Sequence, residues 1–460
     1  MFRPSSDLAR CYNICFTRHA SGHHRDETSV LTSAEIDMVT AQPANPLDTA
    51  CALQRPVASP DWEQHSSFHN DEHSTLESAN SHDILSQRSR QLRPVVSVKA
   101  AAAMHTNATT RRDLLRRTRR ATLAQALEQV GITLPPDNHP VSRPGTARPE
   151  FLLDMPLQKA LSEFARRSGA SLPTFVEWAR GQTPSDYRPN KNLIPAVLND
   201  VCKGYEHLEE LQKIVQNGVE VRLSKEPPHQ TQRPPNHGSA RGRLNVLRKN
   251  LRKEQDAGRC LVLDRELLKQ WPEIIISPFG VVDKSGEDVN VSGRTIHDLS
   301  YPEGTSINDC TDQGSIIKPE YTYCDAAATE ILKVKRDYPG ARVRLMAGDV
   351  AAAFRNISIH SNSVYLFAGH IEEDDIIVIE LAAPFGWTGS PGFHEIAGGA
   401  IAHVHGSHTT KQFPCGFFNY HWVDDHINVV ADVGSACDDA NRSLRYAMVV
   451  VLGADAINTK

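Results

Sequence analysis

The sequence predicts an α+β fold in which a small antiparallel sheet is flanked by helices. Residues 417–430 read FFNYHWVDDHINVV, two β-forming runs around a polar tip, which is typical of a hairpin. A second apolar run, Val343 to Leu345, leads into Asp349 and predicts another strand. Residues 397–404 and 443–452 have the character of helices. Both strands and helices are therefore predicted in this half of the chain.

Length and composition set limits on the class of protein. The 460 residues leave room for two or three domains, and the net charge of −5 hides strong local asymmetry. No run of eighteen apolar residues exists, so no membrane span is expected, and the N-terminus lacks the apolar core of a signal peptide. The nine cysteines are scattered without a CxxC pair. A reduced intracellular compartment, nucleus or cytoplasm, is therefore predicted.

The N-terminal half divides by composition. Residues 1–110 are rich in Ser, His, Asp, Gln and Thr without periodicity, and are predicted to be disordered. Residues 111–225 are predicted to be a basic and helical region. Its first segment, RRDLLRRTRRATLAQALEQV, places Leu115, Leu123 and Leu127 on one helix face. A nucleic-acid contact or nuclear-localisation patch and a solvated basic helix are both open interpretations. Residues 226–240 are predicted to be a linker.

A second basic helix is predicted from Arg241, in the segment RGRLNVLRKNLRKEQDAG. Leu244, Leu247 and Leu251 share one face, and Gly258 ends the pattern. The other faces carry four cations, Arg248, Lys249, Arg252 and Lys253. A contact with a template strand and a surface helix covering the neighbouring structure are both compatible with this pattern.

Three carboxylates are the strongest chemical signal. Asp424 and Asp425 are adjacent and repel each other, and a divalent cation is the usual compensator. Asp349 ends a strand 75 residues upstream (424 − 349), so a meeting of the three is tertiary. Hard oxygen ligands favour Mg²⁺ or Mn²⁺ over zinc.

Four motifs in order carry a family resemblance. They are SPFGVVDKSGEDVNVSGRTIHDLSYPEGTSIN at 277–308, GDVAAAF at 348–354, APFGWTGSP at 383–391 and WVDD at 422–425. With these motifs the chain resembles a reverse transcriptase, most closely those of DIRS-type retroelements, which pair a polymerase with a tyrosine recombinase. The resemblance covers residues 241–460 and implies a palm-type polymerase fold with a fingers hairpin. It also implies that the chain ends before the thumb.

The resemblance implies a role for each matched residue. The catalytic and metal-binding residues would be Asp349, Asp424 and Asp425, with Mg²⁺ or Mn²⁺ as cofactor. The substrate-binding residues would be Lys284, Arg294, Val350, Phe354, Phe385 and Gly386. The nucleic-acid-binding residues would be Arg248, Lys249, Arg252, Lys253 and Trp422.

Two of the implied roles depend on aromatic side chains. Phe354 stands five residues after Asp349, where the family places a steric gate that rejects a 2′-hydroxyl; it also suits a core position. Phe385 stands where some retroviral enzymes have Gln, so it offers only stacking or packing.

Ser363 to Ala368 is expected to be a strand that pairs with the one bearing Asp349.

The predicted function is that of an RNA-directed DNA polymerase of a retrotransposon. It would transfer dNTPs to a primer 3′-hydroxyl by two-metal chemistry, with an RNA template and a DNA primer as partners. The alternative is a truncated, inactive element copy that only binds nucleic acid. Phe354 argues against an RNA-making polymerase. No pattern indicates an oligomeric state.

Overall fold

The computed structural model describes residues 98–143, 149–319 and 324–458. The α+β class is confirmed for these residues, whose sheets are small and antiparallel. The helices are α1 (Val98–Glu128), α2 (Met155–Ser168), α3 (Leu172–Arg180), α4 (Pro195–Val201), α5 (Leu208–Asn217), α6 (Gly238–Arg241), α7 (Leu244–Asp256), α8 (Ile307–Cys310), α9 (Asp325–Asp337), α10 (Ser390–Ser407) and α11 (Ala436–Leu452). Within the described ranges, none of them combines the length and apolar character needed to cross a bilayer.

The strands form four small sheets. They are β1 (Ser142–Arg143), β2 (Glu150–Phe151), β3 (Cys260–Asp264), β4 (Phe279–Val282), β5 (Arg294–His297), β6 (Val343–Asp349), β7 (Ala368–Ile371), β8 (Ile376–Glu380), β9 (Tyr420–Trp422) and β10 (Asp425–Ala431). The sheet orders are β1-β2, β6-β10-β9, β3-β8-β7 and β4-β5. The predicted hairpins at 277–308 and 417–430 are therefore both present.

The sheet β6-β10-β9 carries the predicted carboxylates. Strand β10 is central and antiparallel to both neighbours, and Asp425 lies opposite both Asp349 on β6 and Trp422 on β9. Because directly opposite residues project to the same face, Asp349 and Asp425 share a face of this sheet.

Helices pack on both faces of this sheet, as the alternating apolar residues of β10 require. Val430 lies in a cluster with Ala436 and Ala440 of α11, while its neighbour Val429 packs with Val334 of α9. Helix α9 covers only the far end of the carboxylate-bearing face. Leu345, on that face, is 56% exposed, so the part of the face nearer the carboxylates is open.

The expected pairing of 363–368 with β6 is wrong. Residues Ser361–Leu366 form a 3₁₀ turn, and the strand that follows, β7, pairs with β8 in a different sheet. All five residues of β8 are buried. A strand that is apolar on both faces must be covered on both, and it lies between β3 and β7.

The N-terminal region is helical from an earlier point than predicted. Helix α1 begins at Val98, inside the segment 1–110 that was expected to be disordered; residues 1–97 of that segment lie outside the described residues. Leu123 and Leu127 of α1 are buried in the same cluster as Leu444 and Val451 of α11. The basic helical region 111–225 therefore contributes to the core that also supports the C-terminal residues.

Candidate active site

The three residues predicted to carry the site, Asp349, Asp424 and Asp425, lie at one end of the sheet β6-β10-β9. The backbone N–H of Val350 donates to the carbonyl of Asp424 at 2.9 Å, which ties the end of β6 to the hairpin turn. Burial raises the pKa of Asp424, and the charge of Asp349 raises it further. The charge of Arg294 lowers the same pKa, so a cation from β5 acts at this point too. The charges of Asp349 on β6 and Arg294 on β5 thus both act on Asp424 in the turn between β9 and β10.

Asp424 sits in a strained two-residue turn. Val423 precedes it at a φ of +53°, which is a genuine outlier for a β-branched residue. A positive φ at only the first turn residue matches the φ signs of a type II′ turn, where glycine is the usual occupant. The carbonyl of Val423 accepts from Nε2 of His394 at 3.2 Å and from Nε2 of His421 at 3.0 Å. These contacts fix the peptide that leads into Asp424.

The segment after Asp349 is a second strained turn. Ala352 and Ala353 have φ values of +59° and +20°, and the turn continues as a short 3₁₀ segment, Ala353–Asn356. The side-chain amide of Asn356 donates to the carbonyls of Ala351 and Ala353, each at 3.0 Å. The small residues that follow Asp349 therefore form a compact turn that is held by the side-chain amide of Asn356.

Two phenylalanines lie together beside this turn. The ring centroids of Phe354 and Phe385 are 4.9 Å apart, and Phe354 also meets the edge of His394 at 5.6 Å. Phe354 is half-buried against the main core, whereas Phe385 is 43% exposed. Phe354 thus packs in the core and reaches the surface near the carboxylates.

Gly386 lets the segment 383–391 approach the hairpin β4-β5. Its φ is +120°, and a Cβ there would lie 1.9 Å from the carbonyl oxygen of His297. The backbone N–H of His297 donates to the carbonyl of Phe385 at 3.2 Å, and the amide of Asn308 donates to the carbonyl of Gly386 at 2.8 Å. This contact fixes β5, and with it Arg294, against the turn that carries Phe385.

The remaining predicted substrate residues occupy distinct environments. Arg294 is exposed at the start of β5, opposite Val282 of β4, and Lys284 is half-buried in the loop that joins those two strands. Val350 is buried and forms an isolated bridge with Ile457. Trp422 is half-buried at the end of β9. Of these residues, Arg294 acts on Asp424 through its charge, and Val350 bonds to Asp424 through its backbone N–H.

Arg252 is a structural residue rather than a surface cation. It is buried, and its guanidinium donates to three backbone carbonyls, at 2.8 Å to His139, 3.1 Å to Pro140 and 3.3 Å to Leu152. It also pairs with Asp256 at 2.7 Å. These contacts contradict its predicted role in binding nucleic acid, because every part of the guanidinium is used within the chain.

Two other cations of α7 are also engaged within the chain. Arg248 binds the carboxylate of Asp374 through two of its nitrogens. The Nζ of Lys249 donates to the carbonyl of Val291 at 2.7 Å and lies 5.0 Å from the ring centroid of Phe151. Lys253, by contrast, is exposed. Of the four cations predicted to bind nucleic acid, Lys253 is therefore the best placed to do so.

The donor chemistry of the site fits a hard divalent cation. Asp349 and Asp425 share a face, and a cation would offset both the burial and the repulsion by Asp349 that raise the pKa of Asp424. In the described ranges, however, no three His, Cys, Asp or Glu side chains are already gathered as a ligand set. The amide of Asn458 donates to a carboxylate oxygen of Asp349. Binding a metal would therefore require the carboxylates to rotate.

Sequence reasoning missed a group of buried histidines behind the hairpin. Burial lowers the pKa of His394 to about 3 and that of His405 to about 4, and the pKa of His426 is also lowered by burial. His421 and His426 stack with centroids 4.6 Å apart and planes 8° apart. The only sequence signal was a histidine on each side of WVDD, which periodicity alone does not assign to a buried position.

No protein-family model and no curated protein matches this chain.

Proposed function

We propose that this chain is an RNA-directed DNA polymerase with a palm-type active site. The observation that carries the proposal is the convergence of Asp349 and Asp425, opposite each other in register, with Asp424 in the adjoining turn. The charge of Arg294 also acts on Asp424, and the family resemblance implies that Arg294 binds the triphosphate. On this proposal, four residues that were singled out separately along the chain would act at one place.

The carboxylates are assigned to metal binding. Asp349 and Asp424 would hold two Mg²⁺ ions, and Asp425 would support the first site. When bound, such ions lower the pKa of the primer 3′-hydroxyl and stabilise the leaving pyrophosphate. The raised pKa of Asp424 supports this role, because a carboxylate that folding makes costly to ionise gains most from a cation.

The nucleotide would be held by residues on either side of the carboxylates. Arg294, a forked donor, and Lys284, a point charge, would bind the triphosphate. The Phe354–Phe385 pair would lie beside the sugar, and the bulk of Phe354 would favour a deoxyribose. The open face around Leu345 leaves the approach to Asp349 clear for a polymeric substrate.

A primer-extension assay tests the proposal. Extension should occur with dNTPs in Mg²⁺ or Mn²⁺, fail with EDTA, and fall by at least about 10²-fold in Asp349→Asn and in Asp424→Asn, the order expected when a main transition-state contact is removed. Asp432→Asn is the matched control, since Asp432 follows the same strand, β10, but pairs with Arg344 at 2.9 Å. Full activity in Asp424→Asn would exclude the site.

The binding-only alternative is favoured by one contact. The amide of Asn458 already occupies an oxygen of Asp349, which the metal-bound form would need. If the chain binds a primer-template but extends it in neither metal, and Asn458→Ala does not change this, the alternative holds. If Asn458→Ala increases extension, the amide competes with the cation and the polymerase assignment stands.

A further inference from the structure

We propose that His421 is a positioning residue that holds the turn carrying Asp424 in its strained conformation. The inference rests on the proposed function, because it concerns how one of the three carboxylates is set for catalysis. On this inference His421 acts through the carbonyl of Val423 and not on the substrate itself.

The contacts of the His421 ring identify it as a donor to the turn. A carbonyl oxygen only accepts, so Nε2 of His421 carries the hydrogen in its 3.0 Å contact with Val423. The other nitrogen, Nδ1, lies 3.3 Å from a carboxylate oxygen of Glu395 on α10. The side chains of His421 and Glu395 are only 9% and 17% exposed. Both nitrogens are thus engaged, and the ring plane is fixed on both sides.

The turn needs such a restraint. A β-branched residue at a φ of +53° is strained and persists in that conformation only where neighbouring contacts determine it. Rotation of the Val423 peptide toward an ordinary conformation would move Asp424, the next residue. His394 donates to the same carbonyl from α10, so two imidazoles restrain one peptide.

Helix α10 makes room for the ring. A Cβ on Gly398 would lie 2.5 Å from Nε2 of His421. Glycine inside a helix is less favourable than alanine, so the space for the His421 ring is gained at the expense of helix stability. A Cβ on the adjacent Gly399 would instead lie 2.5 Å from the hydroxyl oxygen of Tyr205, so Gly399 is a matched control.

The first test compares two substitutions at His421. His421→Phe keeps a ring that can stack on His426 but removes both nitrogens, and kcat for dNTP addition should fall by about 10- to 100-fold, the range expected for a small misplacement of a catalytic group. The KM for dNTP should change by less than about 3-fold, because the nucleotide contacts are elsewhere. His421→Gln retains a donor at the position of Nε2 and should recover much of the loss. His403→Phe, on α10, is the control.

A rescue experiment separates positioning from mere stability. Glycine adopts a positive φ freely, so in a Val423→Gly background His421→Phe should lose several-fold less kcat than in the wild type. If His421→Phe does not fold, Gly398→Ala replaces it and is compared with Gly399→Ala; kcat should fall only in the former.

The outcomes distinguish this inference from the polymerase assignment. Unchanged kcat in His421→Phe, with activity lost in Asp424→Asn, would overturn the inference and leave the polymerase standing. If the wild type does not extend a primer, unfolding of His421→Phe, Val423→Gly and the double variant decides the matter. Non-additive changes in the free energy of unfolding support the restraint, and additive changes overturn it.

Discussion

At the scale of single residues, Asp424 lies in an environment that disfavours the ionised form of its carboxyl group. It is half-buried, and both burial and the nearby Asp349 raise its pKa. Only Arg294, His421 and a backbone hydrogen bond act in the opposite direction. A residue of this kind lowers the stability of the fold, which is the compromise expected if Asp424 belongs to the proposed site.

Removing that charge should stabilise the protein. A raised pKa means that the folded state binds the proton more tightly than the unfolded state, so wild-type stability falls as pH rises through the folded pKa. Asp424→Asn should therefore increase the free energy of unfolding at pH 7 by about 0.5–2 kcal/mol. The gain should vanish below about pH 3.9, the unfolded value, where Asp424 is protonated in both states. Urea unfolding of Asp424→Asn and of the wild type across this pH range measures the difference. Equal free energies of unfolding at pH 7 would contradict the conclusion that folding disfavours the charge of Asp424.

Phe354 should control the choice of sugar. Phe354→Val removes the bulk beside the turn that follows Asp349, so incorporation of ribonucleotides should rise by about 10-fold or more, with dNTP use changed only several-fold. Parallel primer extensions with NTPs and dNTPs measure the ratio. Phe393→Val, which removes a ring stacked on Trp387 in the core, controls for lost packing. If both variants show the same ratio as the wild type, Phe354 is a core residue alone.

At the scale of elements, the site is assembled from turns rather than from regular structure. Val423, Ala352, Ala353 and Gly386 all have positive φ, and they flank the carboxylates or join them to the β4-β5 hairpin. Such conformations persist because other contacts hold them. The side-chain amide of Asn356, for example, holds the turn after Asp349. The carboxylates are placed by these turns as much as by the sheet.

Gly386→Ala should break the joint between the 383–391 segment and β5. The added methyl would meet a backbone oxygen, that of His297, which cannot move without displacing the strand. We expect a loss of about 2–4 kcal/mol in the free energy of unfolding and a matching loss of extension activity. Gly304→Ala is the matched control, because Gly304 has a φ of +83° with open space around it and pays only the backbone penalty. Equal losses in the two variants would exclude the close approach as the cause.

How much of the structure the sequence could predict depends on how far apart in the chain the interacting residues lie. The 417–430 hairpin and the strand before Asp349 are encoded in local apolar patterns, whereas their pairing was expected only from the family resemblance. The partner of β7 was missed because pairing is tertiary. Arg252 was placed on the surface because the carbonyls that bind it come from over 90 residues away, in a segment without a pattern of its own. The positive φ of Val423 has no local signal at all.

At the scale of the whole molecule, the N-terminal helix is part of the main core. Leu127 of α1 is fully buried in the cluster that includes α11 residues. Leu127→Ala should cost about 2–5 kcal/mol, the range for emptying a buried leucine site, and the unfolding should remain one transition. Leu114→Ala, on the same helix but 62% exposed, should change stability by less than about 0.5 kcal/mol. A separate, early transition in Leu127→Ala would mean that the N-terminal region folds independently.

Nucleic-acid binding along α7 should depend on Lys253 and not on its neighbour Arg252. Phosphate contacts release counterions, so each neutralised contact lowers the salt slope of binding by about one. Lys253→Gln should do this while leaving the free energy of unfolding unchanged, because the side chain is exposed. Arg252→Gln should leave the slope unchanged and cost about 1–3 kcal/mol in stability for each carbonyl left unsatisfied. Fluorescence anisotropy of a labelled primer-template between 50 and 200 mM salt, about the range over which such contacts are screened, gives the slopes. An unchanged slope in Lys253→Gln would place the nucleic acid on another surface of the molecule.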